Sequence, residues 1–187
     1  MESISIGRTV IPSGERCVRV TAHVSDEPHG LASVPGARLL RSLVRGVVGG
    51  LIATVLMTLY RFPVFRALPP TADFWAKYVG GGAPETHFGT GLVLHFLYGG
   101  AAGGLFGVLI DGLEFDDERK HSLGVLGLSL AYGLALSTFG TRFVFRYLLD
   151  EELEPNEAVI FHVGHVIYGL TLGTWLSFDE RVGEAYE

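Results

Sequence analysis

The chain has 187 residues, of which 48% are hydrophobic and 18% charged, a balance too apolar for an ordinary water-soluble domain, so the surplus must face lipid. Its formal charge of −6 sets 20 acidic against 14 basic residues, and nothing in that balance points to nucleic acid as a partner. A single cysteine, Cys17, excludes an intramolecular disulfide.

Residues 1–36 are polar and rich in Ser, Gly, Pro and charge. They lack the basic start, apolar run and small-residue cleavage site of a signal peptide, and read as a disordered tail ahead of a membrane domain over 37–187. The first uncharged stretch, Gly46 to Tyr60, has 15 residues. At 1.5 Å per residue it rises about 22 Å, short of the roughly 30 Å of a hydrocarbon core. A span over 43–65 meets the requirement if Arg45 and Arg61 extend their apolar stems to opposite interfaces. Phe62, Phe65, Phe74, Trp75 and Tyr78 follow in a loop and read as interfacial anchors.

The second span, Gly91 to Ile110, has 20 residues without a charge. Gly99, Gly103 and Gly107 form one flat strip on it and Gly100 and Gly104 another. Small residues at this spacing let helices approach closely in lipid, and the strips serve either helix packing or the lining of an ion pathway. A third span, Ser122 to Thr141, again of 20 residues, ends in Arg142, Phe143, Phe145, Arg146 and Tyr147. With Arg61 and Arg66 these arginines put four guanidiniums on one face, where they either anchor to lipid head groups or attract an anionic solute. The fourth span, Ala158 to Phe178, has 21 residues and repeats the glycine device with Gly169 and Gly173. Glu157, just before it, reads as a helix cap.

Runs this continuously apolar exclude a transmembrane β-barrel, whose strands alternate. The expected fold is therefore all-α, an integral membrane bundle of four transmembrane helices over about 43–65, 91–110, 122–141 and 158–178. Four crossings return the chain to its starting side. Arg38, Arg41 and Arg45 closely precede the first span, so both termini are expected in the cytoplasm.

Sliding the chain over itself by 70 to 80 residues reveals matches in a common order. Gly46-Val47-Val48-Gly49 corresponds to Gly124-Val125-Leu126-Gly127, and Arg61-Phe62-Pro63-Val64-Phe65-Arg66 to Arg142-Phe143-Val144-Phe145-Arg146 with one deletion. His95-Phe96-Leu97-Tyr98-Gly99 likewise corresponds to His165-Val166-Ile167-Tyr168-Gly169. The sequence thus predicts a tandem duplication of a two-helix hairpin, with halves related by an axis near the membrane normal.

His95, His162 and His165 are, with tyrosines, the ionisable groups inside the spans, and such groups are the first place to look for a site. His95 and Tyr98 share a helix face, as do His162, His165 and Tyr168. The duplication puts His95 and His165 at similar depth, able to face each other. Three uses are open: a proton relay or solute pathway, a haem or divalent-metal site, or hydrogen bonds to Tyr, Ser129, Ser137, Thr138 or backbone carbonyls that tie the bundle together. No phosphate-binding loop, nucleophile elbow or paired-Cys motif supports catalysis.

Leu68-Pro69-Pro70 after the first span, His95 in the second and Phe161-His162-Val163-Gly164-His165 opening the fourth resemble small uncharacterised four-helix membrane proteins of haloarchaea and, more remotely, the YagU-like inner-membrane family, over roughly residues 40–180. Thr71 stands where the YagU-like pattern has an Arg. The resemblance implies a cell-membrane location and a link to stress or proton tolerance. The functional expectations are a small transport or permeation protein, a structural or accessory subunit, or a bis-histidine haem or metal protein. Membrane lipids, a second copy of the chain or another membrane protein are the expected partners.

Overall fold

The computed structural model describes residues 35–65, 69–113 and 118–184, all within Leu31–Glu187, the larger of the chain's two units. The expected tail lies outside these residues except for its last two, which already belong to the first helix. Pro35 opens that helix, where its fixed φ suits the first turn and its missing N–H is not needed.

Among the described residues there are five α-helices and no strand. Helix α1 runs over Pro35–Phe65, and a short α2, Pro70–Trp75, passes into a π turn, Ala76–Gly80. A 3-10 turn, Pro84–His87, leads into α3, Phe88–Asp111. Helix α4, Glu118–Phe139, continues as a wider π-helix over Gly140–Leu149, and α5 covers Pro155–Glu184. The segment holding Phe74, Trp75 and Tyr78 is thus helical rather than a loop. Gly81 and Gly82 make the turn after it, at φ 64° and 78°, values that glycine adopts without a Cβ penalty.

Four of these helices are long and apolar enough to cross a membrane: Gly36–Arg61, Pro84–Asp111, Lys120–Leu149 and Pro155–Phe178. Only 28% to 44% of the apolar window in each is buried against the rest of the protein. Leu97 and Leu123, for instance, are 63% and 62% exposed, a surface suited to hydrocarbon and not to water. This is the architecture of a multi-pass membrane protein.

All four spans are longer than expected, the third by the most. The π-helix carries α4 past Thr141, so Arg142 and Arg146 ride on its last turns with exposed side chains. Charge marks the end of an apolar run, but an exposed Arg on a long stem need not end the helix. What does end it is Asp150, whose left-handed backbone (φ 61°) lets the Glu151 N–H donate to the Phe145 carbonyl at 3.0 Å. At the start of α5 the Glu154 N–H donates to the Glu157 carboxylate at 3.0 Å, the returning half of a capping box, so Glu157 caps the helix from its third position.

The strongest seams join α1 to α3, α4 to α5, and α1 to α5. Each is dictated by small residues. A Cβ on Gly50 would strike the Gly99 carbonyl and the Gly103 Cα, and one on Gly103 would strike the Gly46 carbonyl and Gly50, so here α1 and α3 touch backbone to backbone. Gly107 meets Ser42 and Gly46 in the same way. Gly169 and Gly173 lie against Ser129 on α4, and Gly133 against the His165 carbonyl and Gly169. On the other face of α1, Gly49 receives Trp175 and Leu172 of α5. The glycine strips are therefore packing surfaces. Ala53, Met57, Phe106, Val125, Tyr168 and Leu172 fill the centre.

Candidate functional site: a cavity at the intramembrane histidines

The seam between α3 and α4 is the slack one. The two helices meet at Tyr132, whose hydroxyl donates to the Ala102 carbonyl at 2.9 Å and whose ring stacks on Phe106 at 4.9 Å. Toward the other membrane face they separate, and a cavity of about 180 Å³ opens between them. His95 and Tyr98 of α3, Leu136 of α4, Val144 and Phe145 of its π extension, and Phe161 and His165 of α5 form its walls.

Helix α2 closes the cavity at one end with Pro70, Thr71 and Phe74. Its position follows from contacts on both sides. Thr71 donates its hydroxyl to the Gly91 carbonyl at 2.5 Å, and Gly91 lacks the Cβ that would strike Ala72. Beyond it, the Lys77 ammonium and the Tyr78 hydroxyl donate at 2.6 Å to the carbonyls of Leu149 and Leu148. These two bonds satisfy carbonyls at the end of the π-helix, where no further turn supplies N–H partners. Tyr98, which lines the cavity, is 43% exposed, so this wall, midway along α3, also forms part of the outer surface of the bundle.

The three histidines have three different environments. The His162 Nδ1 lies 2.7 Å from the Ser137 hydroxyl of α4, and the ring does not reach the cavity wall. The His165 Nδ1 lies 3.0 Å from the Phe161 carbonyl; a carbonyl only accepts, so that nitrogen carries the proton. In the neutral ring, Nε2 is then a bare acceptor. His95 is 9% exposed and has no hydrogen-bond partner among the described residues. It lines both the main cavity and a second of about 10 Å³, shared with Thr54, Met57, Tyr98, Leu136, His165 and Tyr168. The structure thus brings His95, Tyr98 and His165 to one space and sends His162 to α4.

Tyr168 does not face the main cavity. It is 3% exposed and donates to the Gly99 carbonyl at 2.7 Å, locking α5 to α3 below the histidines. At about 10 Å³ the second cavity is at the lower limit for one water molecule. Phe106, Tyr132, Val125 and Leu172 fill the bundle beyond it.

Of the four arginines expected on one face, three are described, and they differ in exposure. Arg142 and Arg146 are exposed, and Arg66 lies outside the described residues. Arg61 is half-buried, with its guanidinium carbon 5.6 Å from the centre of the Phe161 ring. Its Nε is buried without a hydrogen-bond partner, and no acidic side chain pairs with it among the described residues. Phe161 has Arg61 over its ring and lies against His165, with ring centres 4.5 Å apart.

Among the described residues no three His, Cys, Asp or Glu side chains converge as a metal site would require. The walls supplied by α2 and the π-helix carry no mark in the sequence, because they depend on which helices fail to touch. The one local sign is Gly140, at the change from α to π geometry, where a Cβ would strike the Phe161 ring. Comparison with protein-family models, with curated proteins and with solved structures finds no match.

Proposed function

We propose that the protein is a small transport protein of the cell membrane whose solute enters from the bilayer, between α3 and α4, and docks at His95 and His165. The observation that carries this reading is His95: an imidazole 9% exposed, without a partner among the described residues, lining a cavity of about 180 Å³ midway along an apolar span. Buried polar groups are paired, and one that is not, beside a cavity, marks the place where a ligand supplies the partner. An open pore is less well served, because the space narrows to about 10 Å³ beneath the histidines. A haem site is also less well served, since a cavity near 150 Å³ holds one benzene ring and a porphyrin has four rings.

The duplication of a helical hairpin belongs to this reading. Gly50 and Ser129, and likewise Thr54 and Gly133, lie 79 residues apart and take corresponding places against Gly99–Gly103 and Gly169–Gly173. An approximate axis between the halves accounts for two histidines at one site. Both termini lie in the cytoplasm on this reading, supported by Arg38 and Arg41 in the first turns of the first span. The resemblance to small haloarchaeal and YagU-like membrane proteins is consistent with the cell membrane.

Vesicles prepared from a whole membrane-lipid extract, loaded with a pH-sensitive dye and given a pH gradient, test the transport step. The gradient is expected to decay several-fold faster with the protein than without it, and His95→Phe or His165→Phe should restore the rate of empty vesicles. Decay no faster than in empty vesicles would end the transport reading.

A further inference from the structure

The donors and acceptors around the cavity restrict what it holds. His165 presents Nε2 as an acceptor, because its Nδ1–H is committed to the Phe161 carbonyl. His95, neutral and unpartnered, has one N–H to donate and one nitrogen that accepts. A head group complementary to the pair must both donate and accept within a short distance. A carboxylic acid does so with its O–H and C=O, whereas a ketone or an ester only accepts and a hydrocarbon does neither.

Two further features point the same way. Apart from Thr71, whose hydroxyl is committed to the Gly91 carbonyl, and Tyr98 at the mouth, the other walls, among them Phe74, Leu136, Val144, Phe145, Leu148 and Phe161, are apolar. At about 180 Å³ the space accepts a head group and the first carbons of a chain, leaving the rest of the chain outside among the acyl tails. Behind Phe161, Arg61 carries a positive charge without a carboxylate partner among the described residues, on the far side of that ring from the cavity. That charge favours a ligand that is negative or becomes so.

We propose that the cavity binds the carboxyl head of a fatty acid drawn from the bilayer, with the acid O–H donating to the His165 Nε2, the His95 N–H donating to the acid C=O, and the chain leaving past Tyr98 between α3 and α4. The assignment rests on the bilayer-loaded site described above and names its ligand. It also explains how such a site serves transport: a fatty acid crosses a bilayer readily when neutral and slowly as its anion, and the Arg61 charge with the His95 N–H lowers the cost of the charged form inside the membrane.

The full chain in nanodiscs of synthetic phosphatidylcholine, titrated with dodecanoic acid labelled with carbon-13 at the carboxyl, tests the assignment. A saturable bound carboxyl resonance, absent from empty nanodiscs, is expected. It should vanish in Leu136→Trp, which fills the cavity, and require about tenfold more acid in His95→Phe, the loss of one buried hydrogen bond. Unlabelled methyl dodecanoate, which keeps the chain and the C=O but has no O–H, should displace the acid at least tenfold less well than unlabelled dodecanoic acid. Equal displacement by the ester, or no bound resonance at all, would overturn the proposal, and the ester comparison needs no variant to fold. Binding of the acid without any effect on the pH gradient would keep the ligand and discard transport; a gradient effect without binding would do the reverse.

Discussion

A histidine in a lipid-embedded helix has two ring nitrogens to satisfy and no water to satisfy them. His162 uses Ser137 and His165 uses the carbonyl one turn back, while His95 has neither kind of partner among the described residues. The sequence made the shared face of His95 and Tyr98 legible through their spacing. It could not separate His162 from His165, because three residues on an α-helix leave a rotation of about 60°, enough to turn one ring toward Ser137 of α4 and the other toward the cavity. Asp73, on α2 outside the spans, shows how burial acts on a single carboxyl. Burial raises its pKa above the ordinary carboxylate value, the charges of Glu151 and Glu85 add to the effect, and its own backbone hydrogen bond opposes it. With the folded value raised, the unfolded chain loses its proton first as pH rises, so stability falls between the ordinary value, near 4, and the raised one, and then levels off. Asp73→Asn is therefore expected to raise the unfolding temperature in detergent at pH 7 and to leave it unchanged below about pH 3.5. Equal gains at both pH values would show that Asp73 acts through shape and not through charge.

At the scale of the elements, the glycine strips are where sequence and structure meet most directly. Small residues every fourth position allow two readings, packing or pore lining, and the choice depends on what stands opposite. Gly46 and Gly50 stand opposite, so the strip on α3 is a backbone contact. Gly103→Ala puts a methyl group against the Gly46 carbonyl and within 2.6 Å of the Gly50 Cα, neither of which is a flexible side-chain end. Thermal unfolding in detergent should register a loss of about 1–3 kcal/mol, the usual cost of overpacking. Gly127, where an added Cβ would meet nothing within 4 Å, supplies the contrast: Gly127→Ala should change stability by no more than about 0.5 kcal/mol or raise it slightly. Similar losses at both positions would mean that helix propensity, and not the α1–α3 contact, is being measured. The π extension of α4 was less legible. Its continuation past Arg142 depends on Phe145 packing edge-on to Phe161, with ring centres 5.4 Å apart, a contact with a helix that comes later in the chain.

For the whole molecule, four crossings put Arg41 and Glu152 on opposite faces of the membrane. In a Cys17→Ser background, Glu152→Cys is expected to react with a membrane-impermeant maleimide in intact cells, and Arg41→Cys only after permeabilisation. The reverse pattern would invert the orientation and keep the four spans, whereas labelling of both from one side would refute the crossing number. The sequence by itself determined that the chain forms four helices long and apolar enough to cross a membrane, and that His95 and His165 fall inside two of them. These follow from apolar run length and from the need of each backbone N–H and C=O for a partner inside its own helix, which are properties of local sequence. Only the tertiary structure decided that α3 and α4 stand apart near the histidines, that α2 closes the gap at one end, and that Arg61 lies over Phe161. Those depend on which helix faces pack most closely, and a cavity forms where the packing of the other three seams leaves the fourth unfilled.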